Sequence, residues 1–125
     1  MERNLENDYV KIWIKDEILY CLYKNNKILD IKCAKQIVKD RIDLQNGKTY
    51  KALVYPPKPK FTTKQGRNYL SEEGSKGISA VSIILNQNIF VRSLVNWFLN
   101  YENPDVPYKA HNSEEEALEW LKSLD

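Results

Sequence analysis

The chain has 125 residues, enough for one domain with its own core and too few for two of ordinary size. With 19 basic and 17 acidic residues the net charge is +2, too little for a general nucleic-acid binder, so no nucleic acid is expected as partner. A single histidine, His111, with neither Cys21 nor Cys33 near it, excludes a zinc site of ordinary spacing. The two thiols read as reduced cysteines rather than a disulfide.

The polar start is expected to fray over residues 1–8, leaving a domain over 9–125. There is no basic-then-apolar leader and no long apolar run, which predicts a cytoplasmic protein without an integral membrane segment. Val10, Ile12 and Ile14 alternate with Lys11, Trp13 and Lys15 at the period of a half-buried strand. Asp16-Glu17 forms a tight turn into a return strand over Ile18–Tyr23. Asp30 is a helix N-cap; Ile31, Ala34, Ile37, Val38 and Ile42 then recur at helical spacing until Gly47 stops the helix. Cys33 falls in the first turn of this helix, but no base or second cysteine accompanies it.

Tyr50 to Tyr55 reads as a strand that ends at Pro56-Pro57-Lys58-Pro59. Thr62 through Gln65 matches a capping box with Thr62 as cap, opening a short helix that carries Tyr69 and Leu70 inward and ends at Gly74. Ile78 to Leu85 is β-branched and nearly all apolar, as suits a strand buried on both faces. Asn86-Gln87-Asn88 supplies a turn and an N-cap for a helix over Ile89–Tyr101. On that helix Arg92, Ser93, Asn96 and Asn100 share a polar sector of roughly 100°, and apolar residues cover most of the rest. An ordinary surface helix needs an apolar stripe a little over ~100° wide; this one has about twice that. The surplus goes under a neighbouring helix, to a partner, to a second copy or to an apolar ligand. Val106–Ala110 is a short strand that Pro107 confines to an edge, and Ser113 with Glu116 opens a last helix whose inward face is Ala117, Leu118, Trp120, Leu121 and Leu124.

The order is β-β-α-β-α-β-α-β-α: a single α/β domain with a mixed, mostly parallel sheet. This order resembles the STAS domain of anti-sigma-factor antagonists (SpoIIAA-like) and the stand-alone STAS/SEC14-like proteins, with the nearest likeness to an uncharacterised bacterial group. The resemblance rests on Ala34-Lys-Gln-Ile-Val-Lys-Asp-Arg41, Ile78-Ser-Ala-Val-Ser82, Asn96-Trp-Phe-Leu99, Pro104, Pro107 and Glu115-Glu-Ala-Leu-Glu-Trp-Leu-Lys122, in that order and spacing. It implies a non-enzymatic regulatory module that meets another protein, a kinase among the candidates, and can pair as a homodimer. It places the hydroxyl that a partner kinase phosphorylates at Thr62 or Thr63, although Pro-Pro-Lys-Pro stands where the family carries an acidic residue.

Two further groupings come from the residues themselves. Lys58, Lys60, Lys64 and Arg67, with Asn88 and Arg92 leaving a neighbouring strand on the same edge, surround two helix N-termini and would draw an anion. Phe61, Phe90, Trp97 and Tyr101 are the apolar anchors for a partner or ligand. No paired carboxylates, nucleophile elbow or phosphate loop is present, so neither an enzyme nor a cofactor is expected. The rival to the docking module is a carrier or sensor that holds a small apolar or anionic ligand in the SEC14-like manner.

Overall fold

The structure is a computed structural model that describes residues 3–58, 61–85 and 106–124. Six strands, β1 (Arg3–Glu6), β2 (Val10–Lys15), β3 (Ile18–Tyr23), β4 (Tyr50–Tyr55), β5 (Ile78–Ile84) and β6 (Tyr108–His111), form one sheet in sequence order. β1, β2 and β3 pair antiparallel, whereas β3 to β6 pair in parallel. The helices are α1 (Ile31–Gln45), α2 (Lys64–Glu73) and α3 (Glu114–Ser123). This is the expected α/β class with its mixed, mostly parallel sheet. The helix read over Ile89–Tyr101 and the turn before it lie outside the described residues.

The start of the chain departs from expectation. Instead of fraying, Arg3–Glu6 pairs with β2 from Arg3↔Ile14 to Glu6↔Lys11. Leu5 packs on the core, and the Arg3 guanidinium donates to the Leu44 carbonyl at 2.8 Å. A polar segment suffices there because an edge strand is held by ladder hydrogen bonds and needs only one apolar anchor.

The β2–β3 hairpin turns on Asp16 (φ 50°) and Glu17 (φ 68°), both left-handed. Two such residues make the turn whose twist matches the flanking strands, a place where Asn-Gly is the relaxed choice. Asp30 caps α1, its carboxylate accepting from the Cys33 N–H at 2.9 Å. At the other end Asn46 and Gly47 are left-handed (φ 51° and 82°), so the expected stop comes as a pair.

Parallel strands laid down in sequence order need their crossover helices on one face, given right-handed connections. Accordingly α1 and α2 share a face with Val10, Ile12, Leu19, Ala52, Val81 and Ile83. α3 follows the last strand, is not a crossover, and covers the opposite face, where Ala117 and Leu121 are fully buried against Ile18, Tyr20, Leu53, Ala80 and Ile84. A register shift between Tyr50 and Lys51 opposite β5 lets Ile78 join the first face before Ala80 and Val81 resume strict alternation.

A candidate ligand cavity between the helices and the sheet

α1 presents Cys33, Ala34, Ile37, Val38, Arg41 and Gln45 to the interior. The sequence had placed Ile31 and Ile42 there, but both are exposed, by 43% and 41%. The inward stripe runs 34, 37, 38, 41, 45, so a charge and an amide occupy positions where aliphatic residues were expected. Arg41 is 6% exposed.

Its partners are all neutral. Nη1 donates to the Gln45 side-chain oxygen and, at 2.7 Å, to the Lys76 carbonyl; Nη2 donates to the Gly74 carbonyl at 3.3 Å. Gln45 in turn donates to the carbonyls of Lys48 (2.9 Å) and Gly77 (2.8 Å). The group thus satisfies carbonyls released at the C-terminal end of α2, where a cation is also favoured by the helix dipole. That is a structural role and accounts for three donors. A guanidinium has five. Nε–H and one Nη2–H have no acceptor among the described residues, and none of the ion pairs found there involves Arg41. Burial lowers its pKa from the ordinary 12.5, with Cys21 and the tyrosines 23 and 108 opposing that shift. A guanidinium starting so high remains charged at neutral pH.

Arg41 lines a cavity of about 90 Å³. Leu19, Ala52 and Val81 come from the sheet, Ile37, Val38 and Leu70 from the helices. Cys21, Tyr23 and Tyr108 add the other polar atoms, and Pro56 and Pro57 stand at the end of β4 beside it. α2 packs against α1. Its N-terminal end is pinned at Leu29. The Phe61 carbonyl accepts from Leu29 N–H at 2.7 Å and Thr63 N–H donates to the Leu29 carbonyl at 3.1 Å. A Cβ at Gly66 would lie 2.4 Å from that same carbonyl, so only glycine lets α2 sit so close. Burial pushes the Cys21 thiol up to about 12, which leaves it protonated and unreactive.

The residues singled out from sequence are distributed as follows. The cap of α2 is Thr63, not Thr62: Thr63 Oγ1 accepts from Gly66 N–H at 3.1 Å. Thr62 is shifted out of the cap by its β-bridge to Leu29, and its hydroxyl accepts from Arg67 Nη1 at 2.7 Å. The capping box with Gln65 is therefore absent, since position 66, three after the true cap, has no side chain. Both threonine hydroxyls sit at the head of α2 and are already engaged. Lys58 and Lys64 are exposed on the same loop, while Arg67 is half-buried and turned to Thr62. Phe61 is half-buried in a small recess with Tyr9, Leu29 and Pro57. Lys60, Asn88, Phe90, Arg92, Trp97 and Tyr101 lie outside the described residues. Cys33 is buried, its thiol 3.6 Å from the Ile28 carbonyl.

Two features escaped the sequence. One is Arg41 with the cavity; its signal was present, because position 41 continues the 34–37–38 stripe. The other is a polar link on the α3 face, where Ser82 Oγ and His111 Nδ1 lie 2.6 Å apart. Ser82 is fully buried and the pair joins β5 to β6 with Trp120 tilted over the imidazole at 5.4 Å. Burial, then Lys109, lowers the His111 pKa; Glu116 opposes them. Partners 29 residues apart carry no local signature.

Among the described residues no helix is long and apolar enough to cross a membrane, and no cluster of three metal-ligating side chains occurs. Compared with known proteins, residues 12–125 match the model of a family described as a domain of unknown function (DUF7793), and the chain belongs to that family. Neither the curated proteins nor the solved structures contain a match.

Proposed function

We propose that this chain is a non-enzymatic sensor or carrier module that holds a small apolar molecule between α1, α2 and the sheet. One observation carries the reading: an apolar recess of about 90 Å³, lined by Leu19, Ile37, Val38, Ala52 and Val81 with the buried Arg41, lies between the helices and the sheet. Protein interiors pack to crystal-like density and keep few voids larger than a water molecule. Apolar cavities of this order stay dry and accept apolar guests. Among the described residues the wall offers no activated nucleophile, and Ser82, which pairs with His111, lies on the opposite face.

The experiment is methyl-resolved NMR of the whole chain titrated with mixtures of small organic metabolites. A binder should move the methyls of Ile37, Val38 and Val81 in saturable fashion, and Ala52→Leu, which fills the floor, should abolish the response. Unmoved cavity methyls across the screen would overturn the reading. So would NOEs showing the space filled by other side chains of the chain.

A docking module of STAS type remains the second reading, favoured by Ile28 and Ile31, 51% and 43% exposed beside the Leu29–Thr62 bridge. Together with Phe61 they form an apolar shoulder at the head of α2. A homodimer or regulatory complex through it should weaken at least tenfold in Ile31→Asp, read by sedimentation. An indifferent lone monomer would remove this reading.

A further inference from the structure

We propose that Arg41 is the anion anchor of the cavity and that its ligand is a short-chain apolar monocarboxylate. The inference deepens the binding reading above and rests on it. Arg41 is buried, charged and without an acidic partner among the described residues. Neutral carbonyls and one amide satisfy part of its donor set, no acid among the described residues balances its charge, and an unbalanced buried charge is costly. The unused donors are Nε–H and one Nη2–H, adjacent atoms of one planar fork, which suit the two oxygens of a carboxylate.

The rest of the wall selects against larger anions. Phosphate or sulfate would bring four oxygens to a wall that is mostly aliphatic, with Tyr23, Tyr108 and the Cys21 thiol as its further polar groups, whereas a carboxylate has two oxygens, which the Arg41 fork matches, and a hydrocarbon remainder. Size narrows the class again: a cavity of about 150 Å³ takes benzene with its six non-hydrogen atoms, so 90 Å³ suits an acid of about two or three carbons. The Cys21 thiol is the only cysteine at the wall and is protonated, so the acid is held and not transformed.

The test titrates the intact protein with propionate and, separately, with propionamide, following the Ile37, Val38 and Val81 methyls. Propionate should bind saturably and the amide at least about thirtyfold more weakly, as for loss of one partner of a buried charged pair. Arg41→Met should lose propionate to the same degree while its circular dichroism stays that of a folded protein. Because that variant also strips carbonyls of their donor and can unfold, the acid–amide comparison in the unaltered chain stands independently. Equal binding of acid and amide at the cavity methyls would overturn the anchor and leave the cavity reading standing. Failure of both probes, with an empty metabolite screen, would overturn both.

Discussion

The two faces of the sheet are built from similar strands and yet are solved differently. On the α3 side Ala80, Leu53, Ala117 and Leu121 are buried against one another, the recesses of about 250 and 350 Å³ lie at the polar margin around Asp16 and Lys122, and the pair Ser82–His111 is mutually satisfied. On the α1/α2 side a helix is fastened at its ends, by Thr63 and Gly66 near Leu29 and by Arg41 at Gly74 and Lys76, and a recess remains beside Leu70 and Gly74. The comparison teaches that the first face is joined by apolar contact and one neutral polar pair, whereas the second uses a buried charge to fasten a helix and keeps a recess beside it.

The largest expected effect lies on the closed face. Leu121→Ala should cost about 4 kcal/mol in urea unfolding, because a fully buried leucine among filled neighbours leaves a cavity that cannot collapse. A loss under about 1 kcal/mol would mean that face is not close-packed. Next, Gly66→Ala should cost about 3 kcal/mol, since the obstacle to the new Cβ is the Leu29 backbone carbonyl rather than a mobile side chain. The contrast is sharpest in one paired substitution. Ala80→Val overfills the α3 side and should cost about 2 kcal/mol, whereas Ala52→Val enters the cavity and should stay within about 0.5 kcal/mol of the unaltered chain. Equal costs would erase the difference between the faces. Thr63→Ala should lose about 1 kcal/mol as an N-cap, and chemical-shift loss of helicity confined to the first turn of α2 would confirm the position of the cap.

The smallest effect is a pH dependence of the closed face. His111 is held below the ordinary value of 6.5, so the unfolded chain binds its proton first. Its contribution is therefore full above that value and falls as pH drops through it towards the lower folded value. Glu6, Asp8 and Asp30 are shifted below their own ordinary values of 4.5, 3.8 and 3.8, so their stabilisation is lost only in more acidic solution. Midpoints of urea unfolding should thus fall between pH 7.5 and pH 5.5 in the unaltered chain and stay flat in His111→Gln. A flat profile in both would show that the imidazole is not sheltered.

Much of the fold was legible because its signals are local. Alternation in Val10–Lys15, the Asp30 cap, Gly47, the unbroken apolar run Ile78–Ile84 and the Ser113 cap each act within one turn or strand. The parallel sheet followed from strand–helix alternation, and β6 is at an edge as Pro107 required. Arg3–Glu6 was missed because an edge strand needs no apolar period. Thr62 was mistaken for the cap because its competing bridge is to Leu29, 33 positions away in sequence. Of the candidate anion residues, Arg67 is drawn to Thr62, and Lys58 and Lys64 stay in solvent.

What the sequence by itself determined is the α/β class, the order of the described elements after residue 9, and most of their helix ends, since periodicity and capping depend on neighbours a few residues apart. Only the tertiary structure decided that Arg41 is interior, that a recess lies beside it, and that Ser82 meets His111. Those facts depend on how far one element stands from another, and that distance is set by contacts such as Gly66 on Leu29, which join parts of the chain remote in sequence.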